Sequence, residues 1–283
     1  MQRRHSLSHL LLRTAIAAAG SAGVVSGLYP LGNQLLTAIG RRRLKRRQPP
    51  GLVRAVALEW AVALAVSAAR PLGLFGLPVS GPPARGPRPV LLLHGYAMGR
   101  MNFFLLARRL HRAGLGPLVG FEYASLGSIR RAAAALGAFV DQLTGELGTR
   151  VDLVGHSLGG VVARTYVCDG AGAGRVENLI TIGSPHAGTW FSRFGVGSSS
   201  VEAKVDSPFL RELASRPIPP GVRATAIWSR ADGLVSSPLF ARLPGAEEIV
   251  YDDLGHLTML ASPRVAAEVI ARLRRTGSPT SSR

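Results

Sequence analysis

One serine stands in a context typical of a catalytic nucleophile. Ser157 is the centre of a Gly-His-Ser-Leu-Gly run at residues 155–159, between the short apolar run 151–154 and an apolar stretch with helical spacing. A strand that turns sharply into a helix holds its serine in a strained, exposed conformation, and the flanking glycines remove Cβ atoms that would collide in such a turn. A serine hydroxyl is a poor nucleophile until a base removes its proton. The sequence must therefore supply a histidine and an acid elsewhere.

The base and the acid are sought after the serine, because this type of turn requires the order Ser, acid, His. His256 is the only histidine after residue 187 and lies between the last predicted strand and the last predicted helix. Asp232 follows a predicted strand by three residues and is the preferred acid. Asp252 and Asp253 remain alternatives, although their place just before the histidine favours a role in bracing its loop. We therefore predict a triad of Ser157, Asp232 and His256.

An oxyanion hole is predicted from backbone N–H groups. One donor is the residue after the nucleophile, Leu158, and the other belongs to the loop at residues 94–99, where Tyr96 is the candidate. Gly95 lets that loop bend towards a substrate. His94, at the end of a predicted strand, is expected to fix the loop by hydrogen bonds rather than to transfer protons.

The elements that must position these residues alternate between strand and helix. Strands are predicted at residues 90–93, 118–123, 151–154, 179–182, 224–229 and 248–251, and helices at 101–113, 128–147, 158–167 and 263–275. Repeated strand-helix units predict an α/β protein with a mainly parallel sheet and helices on both faces. Residues 90–283 are expected to form the catalytic domain.

Composition excludes several other classes of protein. The chain has 283 residues, 47% of them hydrophobic, and a formal net charge of +18. Residues 1–89 carry 13 Lys or Arg against the single acid Glu59. The rest of the chain has no basic stripe interleaved with aromatic residues, so nucleic acid is not an expected partner. A lone cysteine, Cys168, cannot form an internal disulfide. No metal-ligand cluster and no nucleotide-binding pattern is present, and no cofactor or metal is predicted.

Residues 1–77 are predicted to be a basic, apolar, helical segment associated with a membrane. Residues 14–40 are mostly apolar and exceed the roughly 20 residues that a membrane span needs. Six positive charges follow at residues 41–47, and a second apolar run at 52–69 contains Arg54 and Glu59. A carboxylate in hydrocarbon is costly, so the alternatives for these runs are helices packed on the catalytic core or a helix lying in the interface. Residues 78–89, rich in Pro and Gly, are expected to be a linker.

The charges flanking the apolar runs predict on which side of the membrane the catalytic domain lies. Short basic loops tend to stay in the cytoplasm, which places residues 41–47 inside. If both apolar runs cross, the catalytic domain lies outside the cytoplasm, and if only residues 14–40 cross, it lies inside. We expect two crossings and a domain outside the cytoplasm. A cleavable signal peptide is not expected, because Arg13 interrupts the early apolar run.

A family resemblance rests on five short runs. They are His-Gly-Tyr at 94–96, Gly-His-Ser-Leu-Gly-Gly at 155–160, Gly-Ser-Pro-His-Ala-Gly-Thr at 183–189, Ala-Asp at 231–232 and Gly-His at 255–256. Together they resemble the bacterial triacylglycerol lipase and esterase family of the α/β-hydrolase superfamily over roughly residues 90–275. The resemblance implies the α/β-hydrolase fold, assigns Ser157, Asp232 and His256 to the family triad, and assigns Tyr96 and Leu158 to its oxyanion positions. Larger members bind a structural calcium, but no matching carboxylate pair is found.

Residues 184–221 depart from the smallest members of that family. About 35 inserted residues include a Gly- and Ser-rich stretch at 195–200 and a predicted short helix at 201–213, and we expect a cap or lid over an acyl site. The function expected is a serine carboxylic-ester hydrolase that acts on lipid or other apolar acyl esters. The alternatives are an acyltransferase of the same fold and a non-catalytic, membrane-attached scaffold. Acyl length, head group and oligomeric state are left open by the sequence.

Overall fold

The computed structural model describes residues 52–69, 88–170, 172–235 and 238–275. The six strands are β1 (Val90–Leu93), β2 (Leu118–Phe121), β3 (Val151–His156), β4 (Val176–Ile182), β5 (Arg223–Ser229) and β6 (Glu247–Tyr251). The helices are α1 (Leu52–Ala69), α2 (Phe104–Arg112), α3 (Ile129–Leu147), α4 (Leu158–Cys168), α5 (Ser198–Glu202), α6 (Pro208–Ala214), α7 (Pro238–Ala241), α8 (Thr258–Ala261) and α9 (Pro263–Leu273). Single 3-10 turns lie at Arg100–Phe103 and Trp190–Phe194.

All six strands run parallel in the order β2-β1-β3-β4-β5-β6. Every residue of the inner strands β1, β3 and β4 is buried. This is expected for a parallel sheet covered on both faces, and it explains why these strands appear in the sequence as short continuous apolar runs. The carboxyl ends of the strands meet at one edge of the sheet, and the loops that leave this edge carry the predicted site residues.

Two apolar cores cover the two faces of the sheet. On one face α3 and α4 pack on the sheet through residues such as Leu136 and Val162. On the other face α2 and α9 pack through residues such as Leu106 and Val269. The predicted α/β-hydrolase architecture, with a mainly parallel sheet and helices on both faces, is confirmed.

The predicted elements are present, with small differences at their ends. Strand β4 begins three residues earlier than predicted, and β3 continues to His156. The helix predicted at 201–213 is wrong as a single element, because the structure has two helices, α5 and α6, separated by a turn. Asp206 in that turn has a positive φ of 58°, and Pro208 begins α6. A left-handed residue and a proline both interrupt a continuing helix.

Helix α1 is the part of the N-terminal segment that the structure describes. It packs on the α/β domain, which is one of the alternatives weighed for the second apolar run. Within the described residues, no helix is sufficiently long and apolar to cross a membrane. The first apolar run at 14–40, the basic run at 41–47 and most of the predicted linker at 78–89 lie outside the described residues.

Candidate active site

The turn between β3 and α4 has a strained backbone centred on Ser157. Its φ of 54° and ψ of −124° lie outside the regions that L-residues favour. A Cβ at Gly155 would lie 2.5 Å from the backbone of Gly160, and a Cβ at Gly159 would lie 2.1 Å from the Leu93 carbonyl oxygen. Only glycine fits at either position, so the chain can turn sharply enough to present the serine at the carboxyl edge of the sheet.

His256 and Asp232 form a hydrogen-bonded pair at the same edge. The Nδ1 atom of His256 lies 2.7 Å from Oδ2 of Asp232, and both side chains are fully buried. The other carboxylate oxygen, Oδ1, accepts hydrogen bonds from the N–H groups of Leu234 at 2.8 Å and Val235 at 3.1 Å. Three partners therefore fix the carboxylate, which in turn fixes the tilt of the imidazole and favours a proton on Nδ1.

The surroundings of His256 shift its pKa in opposing directions. Burial lowers the pKa, whereas the charge and hydrogen bond of Asp232 raise it, and the Glu59 carboxylate raises it further. The outcome is a pKa above the ordinary value for histidine. A carboxylate beside the ring stabilises the imidazolium, which is the form that a general base reaches when it accepts a proton.

His256 also lies next to the serine turn. The ring of His156, the residue before Ser157, has its centroid 4.6 Å from that of His256. The N–H of Ser157 donates to the Ile182 carbonyl at 2.9 Å. At the next residue, Gly183, an added Cβ would lie 3.2 Å from Nδ1 of His256. The structure thus brings Ser157, Asp232 and His256 to one edge of the sheet.

The two alternative acids point away from the site. Asp252 pairs with Arg230 at 2.7 Å, and Asp253 pairs with Arg264. Their side chains are 72% and 59% exposed, against 0% for Asp232. They brace the surface of the loop before His256, and Asp232 is the carboxylate that contacts the imidazole.

The loop after β1 lies directly against Ser157, the candidate nucleophile. A Cβ at Gly95 would come within 3.0 Å of the Ser157 Cβ, so the backbone of this loop at Gly95, the residue before Tyr96, lies against the Ser157 side chain. Leu158 is the first residue of α4, and the N–H at that position has no acceptor within its own helix. The two predicted oxyanion donors, Tyr96 and Leu158, therefore belong to two backbone segments that lie next to Ser157.

The loop containing Tyr96 is held in place by polar contacts. His94 places Nδ1 2.9 Å from the Gly95 carbonyl oxygen and Nε2 3.1 Å from the Glu122 carboxylate. Burial raises the pKa of Glu122, but hydrogen bonds from His94 and Arg100 outweigh it and lower the pKa to about 2. His94 thus has the structural role expected of it.

The inserted segment 184–221 joins two of the loops around the site. The Tyr96 hydroxyl is 2.7 Å from both the N–H and the carbonyl oxygen of Val196. The Thr189 hydroxyl donates to the Leu234 carbonyl at 2.8 Å, two residues after Asp232. The insertion therefore spans from the Tyr96 loop to the loop after β5 that carries Asp232 (the acid loop).

The two parts of this insertion differ in packing. Helix α6 is a fixed part of the fold, because Phe209, Leu210 and Leu213 are buried in the core. The first part of the insertion exposes large apolar side chains, with Phe194 77% and Val196 67% exposed.

Glu59 is a site-adjacent residue whose role the sequence did not reveal. Its carboxylate is buried and accepts hydrogen bonds from the N–H groups of Leu257 at 2.7 Å and Thr258 at 3.0 Å, directly after His256. The available signal was a single acid in an apolar run. That signal indicated a costly charge but not the partner that compensates it.

Within the described ranges, no group of three or more His, Cys, Asp or Glu side chains could hold a metal ion.

The fold and part of the sequence match known proteins. Residues 131–216, which include the serine turn, match the model of a family described as "PGAP1-like alpha/beta domain". The mature form of the Bacillus licheniformis lipase BlEst2 superposes with a TM-score of 0.59 and 18% identity, covering 69% of this chain and 95% of that one. The chain has the α/β-hydrolase fold.

Two further solved structures with this fold are similar. Aspergillus fumigatus lipase B superposes with a TM-score of 0.61 and 18% identity, covering 71% of this chain and 56% of that one. A Paleococcus ferrophilus monoacylglycerol lipase superposes with a TM-score of 0.52 and 16% identity, covering 68% of this chain and 95% of that one.

Proposed function

We propose that this α/β hydrolase is a serine carboxylic-ester hydrolase that acts through an acyl-enzyme on Ser157. The observation that carries the proposal is the buried His256–Asp232 pair, at 2.7 Å, beside a serine held at a φ of 54°. A strained serine, an adjacent imidazole and an acid that orients it are the components of nucleophilic acyl transfer. The lipases of the same fold support the same class of reaction.

In the first half of the proposed reaction, His256 takes the proton of the Ser157 hydroxyl while the oxygen attacks the ester carbonyl. The carbonyl π electrons move to the oxygen, and the resulting oxyanion accepts hydrogen bonds from the N–H groups of Tyr96 and Leu158. When the tetrahedral intermediate collapses, the C–O bond to the alcohol breaks and His256 gives its proton to the leaving alkoxide. The alcohol departs and the acyl group remains on Ser157.

In the second half, water replaces the alcohol. His256 removes a proton from the water as its oxygen attacks the acyl carbonyl, and the same backbone N–H groups stabilise the second oxyanion. Collapse of this intermediate breaks the bond to the serine oxygen, which takes the proton back from His256. Asp232 stays ionised throughout and stabilises the imidazolium that forms in each half.

Apolar acyl chains are the proposed substrate class. Large apolar side chains are exposed on the insertion that runs between the Tyr96 loop and the acid loop, and Leu239, just after the acid loop, is 76% exposed. Exposed apolar surface of this kind indicates an interaction site for apolar ligands or lipid. Lipid esters present such chains at an interface, and the lipases of the same fold are consistent with them.

A panel of p-nitrophenyl and glycerol esters with graded chain length tests this function on the full-length protein. Hydrolysis should rise from acetate to medium or long acyl chains and should be lost in Ser157→Ala. Acyl transfer to an alcohol or amine that exceeds hydrolysis would identify an acyltransferase instead. No turnover and no labelling by a fluorophosphonate would indicate a scaffold and overturn the proposal.

We also propose that the protein is membrane-associated through residues 14–40. The support is the length and apolar character of that run and the basic run after it. The packing of α1 on the α/β domain, where Glu59 finds its partners, favours a single crossing over the two crossings expected from the sequence. With one crossing, the charge rule puts the α/β domain on the same side as residues 41–47, in the cytoplasm.

A further inference from the structure

Helix α1 contacts the loop of His256 through the buried carboxylate of Glu59. The Glu59 side chain is 4% exposed and its two oxygens accept from two successive backbone N–H groups, those of Leu257 and Thr258. These two residues follow His256 directly and begin the short helix α8. Because each carboxylate oxygen has its own donor, the contact sets both the position and the orientation of the backbone that carries the imidazole.

The apolar face of α1 contacts the same region. Ala63 is fully buried in a small cluster with Leu257 and with Met98 of the loop after β1. Val62 and Leu234, which lies two residues after Asp232, pack against this cluster. One helix thus packs at the loops that carry the candidate oxyanion donor, the acid and the base.

Gly255, directly before His256, leaves room for the carboxylate of Glu59. A Cβ at Gly255 would lie 2.4 Å from Oε2 and 2.8 Å from Cδ of Glu59. Because the end of a flexible side chain yields more easily than backbone, a methyl group there would displace the carboxylate from its two donors. The absence of a side chain at this position therefore permits the close approach of Glu59.

We propose that Glu59 is a positioning residue for the catalytic base, holding the loop of His256 through the N–H groups of Leu257 and Thr258. The helix that supplies it is a working part of the active site and not only a tether between a membrane segment and the enzyme. The proposal rests on the proposed function, since it requires His256 to act as the base towards Ser157.

The charge of Glu59 adds a second effect to its hydrogen bonds. Burial raises the pKa of Glu59 above its ordinary value, against the lowering effect of the N–H groups of Leu257 and Thr258 and of His256. Because both Glu59 oxygens accept hydrogen bonds from N–H groups, the ionised carboxylate is the form that this contact stabilises. Titratable side chains that face the His256 ring are Asp232 at 2.7 Å, His156 at a centroid distance of 4.6 Å, and Glu59 behind the loop. Burial lowers the pKa of His156 well below its ordinary value, so His156 is neutral, whereas the two carboxylates raise the pKa of His256. Removing the charge at Glu59 therefore lowers the pKa of His256, and the base is active at lower pH.

The test compares full-length wild type with Glu59→Gln. The amide keeps the shape of the side chain but turns an N–H₂ group towards one of the two N–H donors, so one hydrogen bond is replaced by a repulsive contact. We expect kcat to fall about 10- to 100-fold while KM changes less than about threefold, as for a misplaced catalytic group. The acidic limb of the kcat/KM profile should move to lower pH. A kcat within about twofold of wild type, or an unmoved acidic limb, would overturn the proposal.

Asp152→Asn is the matched control, because Asp152 is also a buried carboxylate. It pairs with Arg88 at 3.1 Å and Asn178 at 2.6 Å, and it lies on β3 about 16 Å from Ser157 at roughly 3.3 Å per residue. This variant should lower Tm but keep the wild-type kcat and acidic limb below its unfolding temperature. If it loses kcat to the same degree as Glu59→Gln, the effect of Glu59 is one of stability and the proposal fails.

Two further variants separate this inference from the function on which it rests. If Glu59→Gln does not fold, Gly255→Ala displaces the same carboxylate, and a wild-type kcat in that variant would refute the positioning role. If Ser157→Ala keeps the wild-type rate, the proposed function itself fails, whatever Glu59 does. An active wild type, an inactive Ser157→Ala and an unimpaired Glu59→Gln would overturn the positioning role alone.

Discussion

Asp232→Asn tests whether Asp232 is the acid of the proposed triad, rather than Asp252 or Asp253 on the loop before His256. In the structure Oδ1 accepts from the N–H groups of Leu234 and Val235, and Oδ2 lies 2.7 Å from Nδ1 of His256. An asparagine has only one oxygen, and two donors compete for it on the Oδ1 side. Its N–H₂ group is therefore expected to face the imidazole.

That arrangement favours the tautomer of His256 that cannot accept the proton of Ser157. An N–H₂ group beside Nδ1 requires Nδ1 to accept, which moves the ring proton to Nε2, the nitrogen that must take the proton of Ser157. A triad that loses its acid in this way loses about 10,000-fold in kcat, or about 5.4 kcal/mol at 1.36 kcal/mol per tenfold. Binding of the ester does not depend on this proton, so KM should change little.

The assay is ester hydrolysis under saturating substrate for Asp232→Asn, Asp253→Asn and wild type, with circular dichroism to verify folding. Asp253→Asn should keep activity within about twofold, because Asp253 is exposed and its pair with Arg264 lies on the surface. A fall of less than tenfold in Asp232→Asn would refute the tautomer argument. A large loss in Asp253→Asn with a small one in Asp232→Asn would assign the acid role to Asp253.

Three other expectations follow from the site and its surroundings. Contacts from His94 and Arg100 outweigh burial and lower the pKa of Glu122 in the folded protein from 4.5 to about 2. Glu122→Gln should therefore lower Tm at pH 7, and the difference in Tm from wild type should shrink as pH falls below 4.5. A difference that grows on acidification would contradict this. If the exposed insertion meets a lipid interface, Phe194→Ser should reduce the activation of long-chain ester hydrolysis by detergent. The control Leu147→Ser, which removes an exposed apolar side chain at the end of α3 and outside the insertion, should not reduce it. Reporters active only outside the cytoplasm, fused after residue 48 and after residue 78, should both be silent if a single crossing holds, and activity after residue 78 would restore the two-crossing topology.

Local chemistry explains why the serine turn could be predicted from sequence. Its conformation requires glycines at 155 and 159, and both constraints are visible within five residues. The strands could be predicted for a related reason, since strands buried on both faces of a parallel sheet appear as short apolar runs. Their ends were less predictable, because the residue at which a strand ends depends on its neighbours in the sheet rather than on its own sequence.

The acid could be ranked but not decided by spacing. Asp232, Asp252 and Asp253 all follow strands at the carboxyl edge, and the chain alone does not show which side chain turns inward. The structure separates them by burial and by partner, since Arg230 and Arg264 draw the two alternatives to the surface. Such pairings depend on the packing of loops from different parts of the chain.

The contact of Glu59 with the loop of His256 could not be predicted from the sequence for a different reason. Its partner Leu257 lies 198 residues away, and an acid within an apolar run indicates a cost without indicating how that cost is met. The apolar run at 52–69 was predicted to cross a membrane, whereas in the folded protein its carboxylate accepts hydrogen bonds from two backbone N–H groups. The single helix predicted at 201–213 failed for a local reason that the structure makes clear, namely the left-handed Asp206 and the proline that follows it.

The central claim is that Ser157 is a nucleophile activated by His256. The most direct measurement is intact mass and peptide mapping after incubation of the full-length protein with a fluorophosphonate. We predict one adduct per chain, mapped to Ser157, no adduct in Ser157→Ala, and a labelling rate reduced at least about 1,000-fold in His256→Ala, because the two residues act as one unit. An adduct on another residue, or equal labelling of Ser157→Ala and wild type, would contradict the account.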